Sequence, residues 1–306
     1  MTRSGHLIVR VPELELLLAE AGDAIPAPLK RMRRLGTATA LNSEAAGTDL
    51  VVAGGLSAAA ASRYFDVPAS GDDSRAVWLR ADPVSLKADL RSVWVQPAAL
   101  AREAEVAETL APIFAEVEMT LEFPHLERGY VRLTEQPACR FSAPDQIVGE
   151  SMETHLPSGP DEKLWRRLGN EVQMALHALS QRGELGFQGL WFWGAGALPS
   201  VETAQPLVDW VVSQDPVLCG AANWASVPCL EPCEIEQPGP AHPGSGLIDW
   251  RADASLSASD NLSRLTQGLG RWLSLLRWRR IGTLSLAGRS QMHSLVWWRS
   301  WRPMLT

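Results

Sequence analysis

The sequence predicts a mixed α/β protein in which helices flank a mostly parallel β-sheet and an α+β subdomain is embedded in the chain. Short apolar runs alternate with helical segments through the second half, which is the pattern of a parallel sheet. A strand–strand–helix–hairpin pattern fills residues 76–134. At 46% apolar and 21% charged, 306 residues are enough to bury a large core. The predicted domains are residues 1–75 and 135–306, which form the core, and 76–134, the subdomain.

The first half of the chain contains the beginning of the core and the subdomain. Apolar periodicity separates strands from helices here, and Pro-containing segments end several of them. In the core we predict a strand at Leu7–Val11, helices at Glu13–Ala21 and Leu56–Phe65, and a basic turn or short helix at Leu29–Leu35. In the subdomain we predict strands at Ala76–Ala81 (ending at Asp82-Pro83), Ser92–Val95, Met119–Phe123 and Tyr130–Leu133, and a helix at Ala98–Val117.

The second half begins with a Pro- and Ser-rich loop and then alternates between helices and strands. The last apolar run, His293–Trp301, is predicted to pair as an edge strand. The other predicted elements are helices at Asp161–Gln181, Pro216–Trp224 and Asp260–Arg277, and strands at Gly189–Trp193, Leu207–Val212, Leu247–Trp250 and Ile281–Leu286.

The segment Leu190–Pro199 is a short apolar run that ends in Gly-x-Gly and then Pro. This is typical of a buried parallel strand that opens into a loop. Trp191 and Trp193 are two positions apart, so in a strand they point to the same face. We expect both indoles to pack on the helix predicted at Asp161–Gln181.

Charge is distributed unevenly along the chain. Residues 261–306 contain eight Arg, no Lys and no acid, and so carry +8 against −15 for residues 1–260. Either this basic segment packs against the acidic body, or it binds an anionic partner such as an acidic protein or a nucleic acid. Because the Arg alternate with Trp and Leu, we favour packing or an acidic partner protein, and we do not expect nucleic-acid binding.

No apolar stretch is long enough to cross a membrane, and the N-terminal apolar run is too short for a signal peptide. With four sparse cysteines, we expect a cytoplasmic protein with reduced thiols and no membrane contact. Cys219, Cys229, Cys233 and His242 could be considered as zinc ligands, but their spacing lacks the close pairs of structural zinc sites. We predict neither metal nor cofactor.

Three short segments, which correspond to two signatures, resemble a known family. Trp78–Asp89 is similar to the W-x-R-A-D-P-V-x-L-x-x-D segment of the RpfE-type regulatory proteins of bacteria. Asn170–Met174 and Leu190–Pro199 resemble that family's second signature. Its members are themselves similar to cofactor-independent phosphoglycerate mutases. The resemblance therefore implies an alkaline-phosphatase-like core, here degenerate, with an inserted α+β domain.

The mutases transfer phosphoryl groups with two divalent metals held by Asp and His, because the metals neutralise charge on the transferring group. Their first ligand lies in an Asp-Gly pair directly after the first strand, where this chain has Pro12-Glu13. Their late Asp-x-His segment is also absent. The resemblance therefore carries over no metal ligand, and the leading interpretation is a non-catalytic regulatory or partner-binding protein. The alternatives are binding or conversion of a phosphorylated metabolite, and binding of an anionic partner through the Arg/Trp segment.

The candidate binding residues fall in two groups. Arg80 and Asp82 stand at a predicted strand end: Asp82 is catalytic or, as we favour, accepts turn N–H groups, while Arg80 pairs with an acid or grips an anion. Asn170, Glu171 and His177 lie on one helix whose polar face is predicted to be buried, as a ligand site or, as favoured, a fastening network. Near it, Gly194 and Gly196 form a weak phosphate-loop signal, or simply a tight turn.

Overall fold

The computed structural model describes residues 5–22, 24–42, 45–67, 76–89, 92–147, 150–200, 204–232 and 244–300. These residues form two compact units. The parallel-sheet unit comprises the described residues of Met1–Ser43, Asp49–Ala53 and Ala204–Thr306, and the antiparallel-sheet unit those of Glu44–Thr48 and Gly54–Thr203. The second unit is thus larger than the predicted subdomain 76–134 and extends beyond it in both directions.

The helices and strands follow in chain order. Residues 5–53 form β1 (His6–Arg10), α1 (Leu14–Ala21), α2 (Ala27–Leu35), β2 (Thr37–Ala40), α3 (Thr48–Val51) and β3 (Val52–Ala53). Residues 54–200 form α4 (Ala58–Asp66), β4 (Val77–Ala88), β5 (Val93–Pro97), α5 (Glu103–Ala115), β6 (Thr120–His125), β7 (Arg128–Leu133), α6 (Pro144–Ile147), α7 (Glu162–Ser180) and β8 (Gly189–Ala197). Residues 204–300 form β9 (Gln205–Pro206), β10 (Trp210–Val212), α8 (Pro216–Trp224), β11 (Cys229–Leu230), β12 (Gly246–Asp249), α9 (Ala258–Arg277), β13 (Thr283–Ala287) and β14 (Gln291–Val296).

The parallel-sheet unit is built on a seven-stranded sheet with the order β11-β10-β12-β1-β13-β14-β2. The first five strands in this order run parallel, and β14 and β2 are antiparallel to their neighbours. β1 lies at the centre, and its residue Val9 pairs with Ile248 on one side and Leu286 on the other. The predicted mixed α/β class with a mostly parallel sheet is confirmed.

Helices α1, α2 and α9 cover this sheet with apolar side chains. The apolar stripe of α9, which includes Leu265 and Leu269, packs with Leu29 and Met32 of α2 and with the side chains of β1. The helix begins where the Ser257 side chain accepts a hydrogen bond from the N–H of Asp260. The amphipathic helix predicted at Asp260–Arg277 is therefore a core helix.

The antiparallel-sheet unit is organised around the 12-residue strand β4. Along one edge β4 pairs first with β7 and then with β5, and along the other edge it pairs with β8; β6 extends the sheet beyond β7. Helix α7 places Trp165 at the centre of the core, where its ring lies 5.1 Å from Phe141 and 5.4 Å from Phe192.

The predicted strand end at Asp82-Pro83 was wrong, because β4 continues to Ala88. The carbonyl of Pro83 accepts a hydrogen bond from the N–H of Ala98. In a strand the nitrogen and the carbonyl of one residue point to the same side. The nitrogen of Pro83 therefore faces the gap between Arg80, the last residue paired with β7, and Val84, the first paired with β5. No donor is needed there, so the strand tolerates a proline.

The segment Leu190–Pro199 was wrongly predicted to be a parallel strand followed by a loop. β8 runs antiparallel to β4 and includes the Gly-x-Gly, with a register irregularity opposite Trp78 and Arg80. Gly194 has φ +70°, and a Cβ atom there would meet Ala58 at 3.0 Å. At Gly196 a Cβ would meet Ser57 at 2.5 Å, so the glycines let the start of α4 approach the strand.

Two further predictions were wrong. Phe192, not Trp191 or Trp193, contacts Trp165 of α7, since successive strand residues point to opposite faces. The run His293–Trp301 is not an edge strand in its described part, because β14 lies between β13 and the exposed strand β2.

No helix in the described ranges is both long and apolar enough to cross a membrane.

Gly246 and Gly270 provide a matched test of this packing. A Cβ on Gly246 would lie 2.1 Å from the indole of Trp210, whereas a Cβ on Gly270 in α9 would meet nothing within 4 Å. We expect Gly246→Ala to lower the free energy of unfolding by about 1–3 kcal/mol through overpacking. Gly270→Ala should raise it by about 0.5–1 kcal/mol through helix propensity. Urea unfolding measures both, and equal effects would contradict the described β12 environment.

Candidate functional site

The carboxyl edge of the parallel sheet gathers polar side chains from three strands. Arg10 is the last residue of β1, Asp249 is the last residue of β12, and Ser213 follows β10 directly. Because these strands are parallel neighbours, their carboxyl ends lie at one edge, which is where open α/β sheets place their ligand sites. This edge is therefore a candidate functional site.

Asp249 is the centre of this cluster, with only 2% of its side chain exposed. Arg10 donates from Nη1 to Oδ1 of Asp249 at 2.9 Å. The other carboxylate oxygen, Oδ2, accepts from the hydroxyl of Ser213 and from Nε of Arg251, each at 3.0 Å. Both oxygens of the buried carboxylate are thus held by protein donors, which is what a charge in this environment requires.

A second carboxylate, Asp215, is held by the same two arginines. Its Oδ2 accepts from Nη2 of Arg251 at 2.5 Å and lies 3.5 Å from Nη1 of Arg10. Its Oδ1 caps helix α8 by accepting from the N–H of Val217 at 2.9 Å. Arg251 also lies 3.8 Å from Glu13. Burial acts to lower the pKa of Arg251, but the charges of Asp249 and Asp215 raise it above its usual value, so this guanidinium remains charged.

The resemblance to mutases implies two divalent metals at such an edge, but the residues here do not fit them. The Asp-Gly that would supply the first carboxylate ligand is replaced by Pro12-Glu13, and the oxygens of Asp249 and Asp215 are engaged by guanidinium groups, by Ser213 or by the cap of α8. In the part of the chain that the structure describes, no group of three or more His, Cys, Asp and Glu side chains could hold a metal ion.

The cysteines considered as zinc ligands are only partly described. Cys219 and Cys229 lie beside the carbonyl of Ser213, at 3.4 and 3.8 Å from their sulfurs. A hydrogen bond from Cys219 lowers the pKa of Cys229. Cys233 and His242 lie outside the described residues.

Arg80 and Asp82, two of the sequence candidates, pair with each other on β4. Nε and Nη2 of Arg80 donate to the two carboxylate oxygens of Asp82 at 2.8 and 2.9 Å, and the indole N–H of Trp193 donates to Oδ2 at 2.7 Å. The guanidinium also lies over the rings of Trp193 and Tyr130, at 4.9 and 5.4 Å. The favoured role of Asp82 as an acceptor of turn N–H groups was wrong, since its donors are side chains.

A second buried pair adjoins this one. Arg128 donates twice to Asp66, at 2.8 Å in each contact, and the hydroxyl of Tyr130 donates to the same carboxylate at 2.6 Å. Burial acts to raise the pKa of Asp66, but the hydrogen bonds from Arg128 and Tyr130 hold it below its usual range. With its donors and acceptors matched within the unit, this network fastens α4 to the sheet rather than presenting a vacant anion site.

The remaining candidates do not join these networks. Asn170 and His177 are exposed on α7, and Glu171 forms an ion pair with Arg167 at 3.4 Å on the same helix. The prediction that they occupy a buried face was wrong, because the buried stripe of α7 comprises Trp165, Leu168, Val172, Leu176 and Leu179. Gly194 and Gly196 lie in β8 against α4 and do not form a phosphate loop. Ligand binding by any of these residues stays a prediction.

The cluster at the carboxyl edge was missed at the sequence level, although a weak signal exists. Each of its strand-end residues directly follows an apolar run: Arg10 follows Leu-Ile-Val, Asp249 follows Leu-Ile, and Ser213 follows Val-Val. What the sequence does not show is that these three strands are neighbours. That depends on the order β10-β12-β1, which brings together residues more than 200 positions apart.

Comparisons with known proteins add little beyond this geometry. No protein-family model and no curated protein matches the chain. Among solved structures, it is similar to a cofactor-independent phosphoglycerate mutase from Thermoplasma acidophilum DSM 1728, which it matches over 96% of this chain and 90% of that chain. The two are 10% identical and the TM-score is 0.43. A likeness of this degree carries no conclusion about activity.

The pKa of Asp66 leads to a test. Because its folded pKa is below the unfolded value, the stabilisation is complete above about pH 4 and is lost as pH falls through the folded pKa. We expect Asp66→Asn to lower the free energy of unfolding by about 3 kcal/mol at neutral pH, because it leaves Arg128 without its charge partner. As pH falls through the folded pKa of Asp66 the variant and the wild type should converge, since a protonated Asp66 resembles Asn.

The matched control is Glu153→Gln, an exposed acid of the same unit. Its unfolding free energy should follow the wild type at every pH. A gap between Asp66→Asn and the wild type that does not change with pH would contradict the ionic role of Asp66.

Proposed function

We propose that this chain is a non-catalytic regulatory or partner-binding protein, of the RpfE type, whose core is related to the phosphoglycerate mutases but has lost their metal site. The observation that carries the proposal is Arg10. It is the last residue of the central strand, two positions before Pro12-Glu13, which stands where the mutases have the Asp-Gly of their first metal ligand. Its guanidinium donates to the buried Asp249, so a cation that belongs to the protein neutralises the buried carboxylate at this strand end.

The chemistry supports this conclusion. Phosphoryl transfer requires positive charge that can face the transferring group, usually from metal ions with open coordination positions. At this edge the positive charge of Arg10 and Arg251 faces Asp249, Asp215 and Glu13 instead. An incoming phosphate would meet at least as many carboxylates as guanidinium groups, so this edge also gives no support to the binding of a phosphorylated metabolite.

The sulfur chemistry suits a reducing compartment. Cys139, Cys219 and Cys229 are free thiols, although Cys219 and Cys229 lie close to the same carbonyl. Cytoplasmic proteins keep such thiols reduced. We propose a cytoplasmic location, which such thiols suit.

Turnover and metal content test the proposal together. Protein purified without chelator should contain well under one equivalent of Mn or Zn, and it should neither interconvert phosphoglycerates nor hydrolyse a phosphomonoester above the buffer rate. An authentic metal-dependent mutase assayed in parallel is the positive control. Two tightly bound metal equivalents, with turnover that Asp249→Asn abolishes, would contradict the proposal. Turnover that Asp249→Asn leaves unchanged would indicate a contaminating enzyme, and removing it by further purification would restore the expected result.

A further inference from the structure

One surface of the parallel-sheet unit is strongly basic and carries exposed tryptophans. We call it the basic face and define it by Arg33 and Arg34 near the end of α2, Trp278, Arg279 and Arg280 after α9, and Trp298 in the short 3₁₀ turn that follows β14. Four of these six residues are arginines and two are tryptophans, and all six are exposed.

The elements that carry these residues are direct neighbours. The guanidinium of Arg31 on α2 donates to the carbonyl of Ser300, and Arg299 donates to the hydroxyl of Thr37 at 3.2 Å. Burial and the nearby charge of Arg277 both lower the pKa of Arg31, so the end of α9 lies beside α2. The elements that carry the basic face are therefore packed against one another.

The four arginines of the basic face differ from the buried arginines in their partners. Among the described residues, Arg33, Arg34, Arg279 and Arg280 form no ion pair with a carboxylate, in contrast to Arg10, Arg80 and Arg128. Helix α2 contains no acid, and residues 261–306 contain none. Of the two expectations for this segment, pairing with the body or binding of a partner, Arg279 and Arg280 fit the second. Their positive charge is available to a partner.

The tryptophans of the face are exposed to an unusual degree. Trp278 is 77% exposed and Trp298 is 56% exposed, whereas Trp165 in the other unit is 2% exposed. The neighbouring Trp297 already illustrates the stacking that such rings permit, because the guanidinium of Arg279 lies 3.7 Å from its ring centre and Trp298 meets its edge at 6.2 Å. Contiguous exposed apolar surface that is rimmed by polar residues marks an interaction site.

We propose that the basic face binds single-stranded nucleic acid, with phosphates on Arg33, Arg34, Arg279 and Arg280 and bases stacked on Trp278 and Trp298. Each nucleotide offers one phosphate and one flat base, so this partner satisfies both kinds of exposed group. An acidic peptide would engage the guanidinium groups and leave the two indoles in water. The net charge of −7 does not prevent this, because at physiological salt charges beyond about 8 Å are screened.

From the sequence alone we did not expect nucleic-acid binding, because the Arg of residues 261–306 alternate with bulky apolar residues. In the structure the apolar residues of α9 and the residues of the basic face lie in different environments. Leu269, Trp272, Leu273 and Leu276 are buried in the core, while Arg279, Arg280 and Trp278 are exposed. Nucleic-acid binding depends on the basic face alone. If the protein does not bind nucleic acid, the proposal for the carboxyl edge is unaffected, and turnover at that edge would not contradict nucleic-acid binding.

Fluorescence anisotropy with a labelled oligo(dT) or oligo(U) of about 20 nucleotides tests the proposal on the full chain. We expect micromolar binding at about 150 mM salt that is about twentyfold tighter at about 50 mM, as four phosphate contacts on a single strand predict. Arg279→Glu/Arg280→Glu should weaken binding at least tenfold and reduce the salt slope by roughly 1.4. Trp278→Ala should weaken binding by fivefold or more, through lost stacking, without changing the salt slope.

The controls make the same charge change and remove a similarly exposed apolar side chain elsewhere. Lys87→Glu/Lys163→Glu has the same charge change on exposed lysines of the other unit, and Met174→Ala removes a side chain that is 72% exposed. Both should bind as the wild type does. No binding at about 50 mM salt, or equal loss in the variants and their controls, would overturn the proposal. So would binding of polyglutamate that depends on Arg279 and Arg280 when the oligonucleotides do not bind.

Discussion

The buried carboxylate of Asp249 is the constraint around which the carboxyl edge of the parallel sheet is arranged. A charge with 2% of its side chain exposed is costly unless every lone pair finds a donor. Arg10 supplies one donor from the central strand, and Ser213 and Arg251 supply the others. Because Arg10 and Arg251 also hold Asp215, the end of β1, the loop after β12 and the beginning of α8 are fixed together. The same ion pairs engage both guanidinium groups of this edge with carboxylates.

The antiparallel-sheet unit solves a similar problem in the same way. Arg80 faces Asp82 and two aromatic rings, and Arg128 faces Asp66 and Tyr130. In both units the buried arginines are matched by carboxylates, so their role is structural. The basic face stands apart from these networks, because its side chains are exposed and its arginines form no ion pair with a carboxylate among the described residues. We propose that a partner binds this face and not the carboxyl edge.

The sequence predicted local structure well where one signal dominated. Pro216–Trp224 agrees at both ends with α8, where Asp215 caps the helix and Pro216 opens it. Leu190–Trp193 failed because a continuous apolar run does not distinguish a parallel strand from an antiparallel strand buried on both faces. Asp82-Pro83 failed because a proline between two partner strands costs no hydrogen bond. The carboxyl-edge cluster escaped because strand order, which decides that Arg10 meets Asp249, is a tertiary property.

The most direct test of the account is the coupling energy between Arg10 and Asp249, measured by urea unfolding of Arg10→Met, Asp249→Asn and the double variant. Each single change removes one partner of a buried charged group, whereas the double variant removes both charges together. The account predicts that the two effects are strongly non-additive, with a coupling of about 2–3 kcal/mol. A coupling below about 0.5 kcal/mol would show that the guanidinium does not neutralise the carboxylate. In that case the carboxyl edge would not be closed by the protein's own cations.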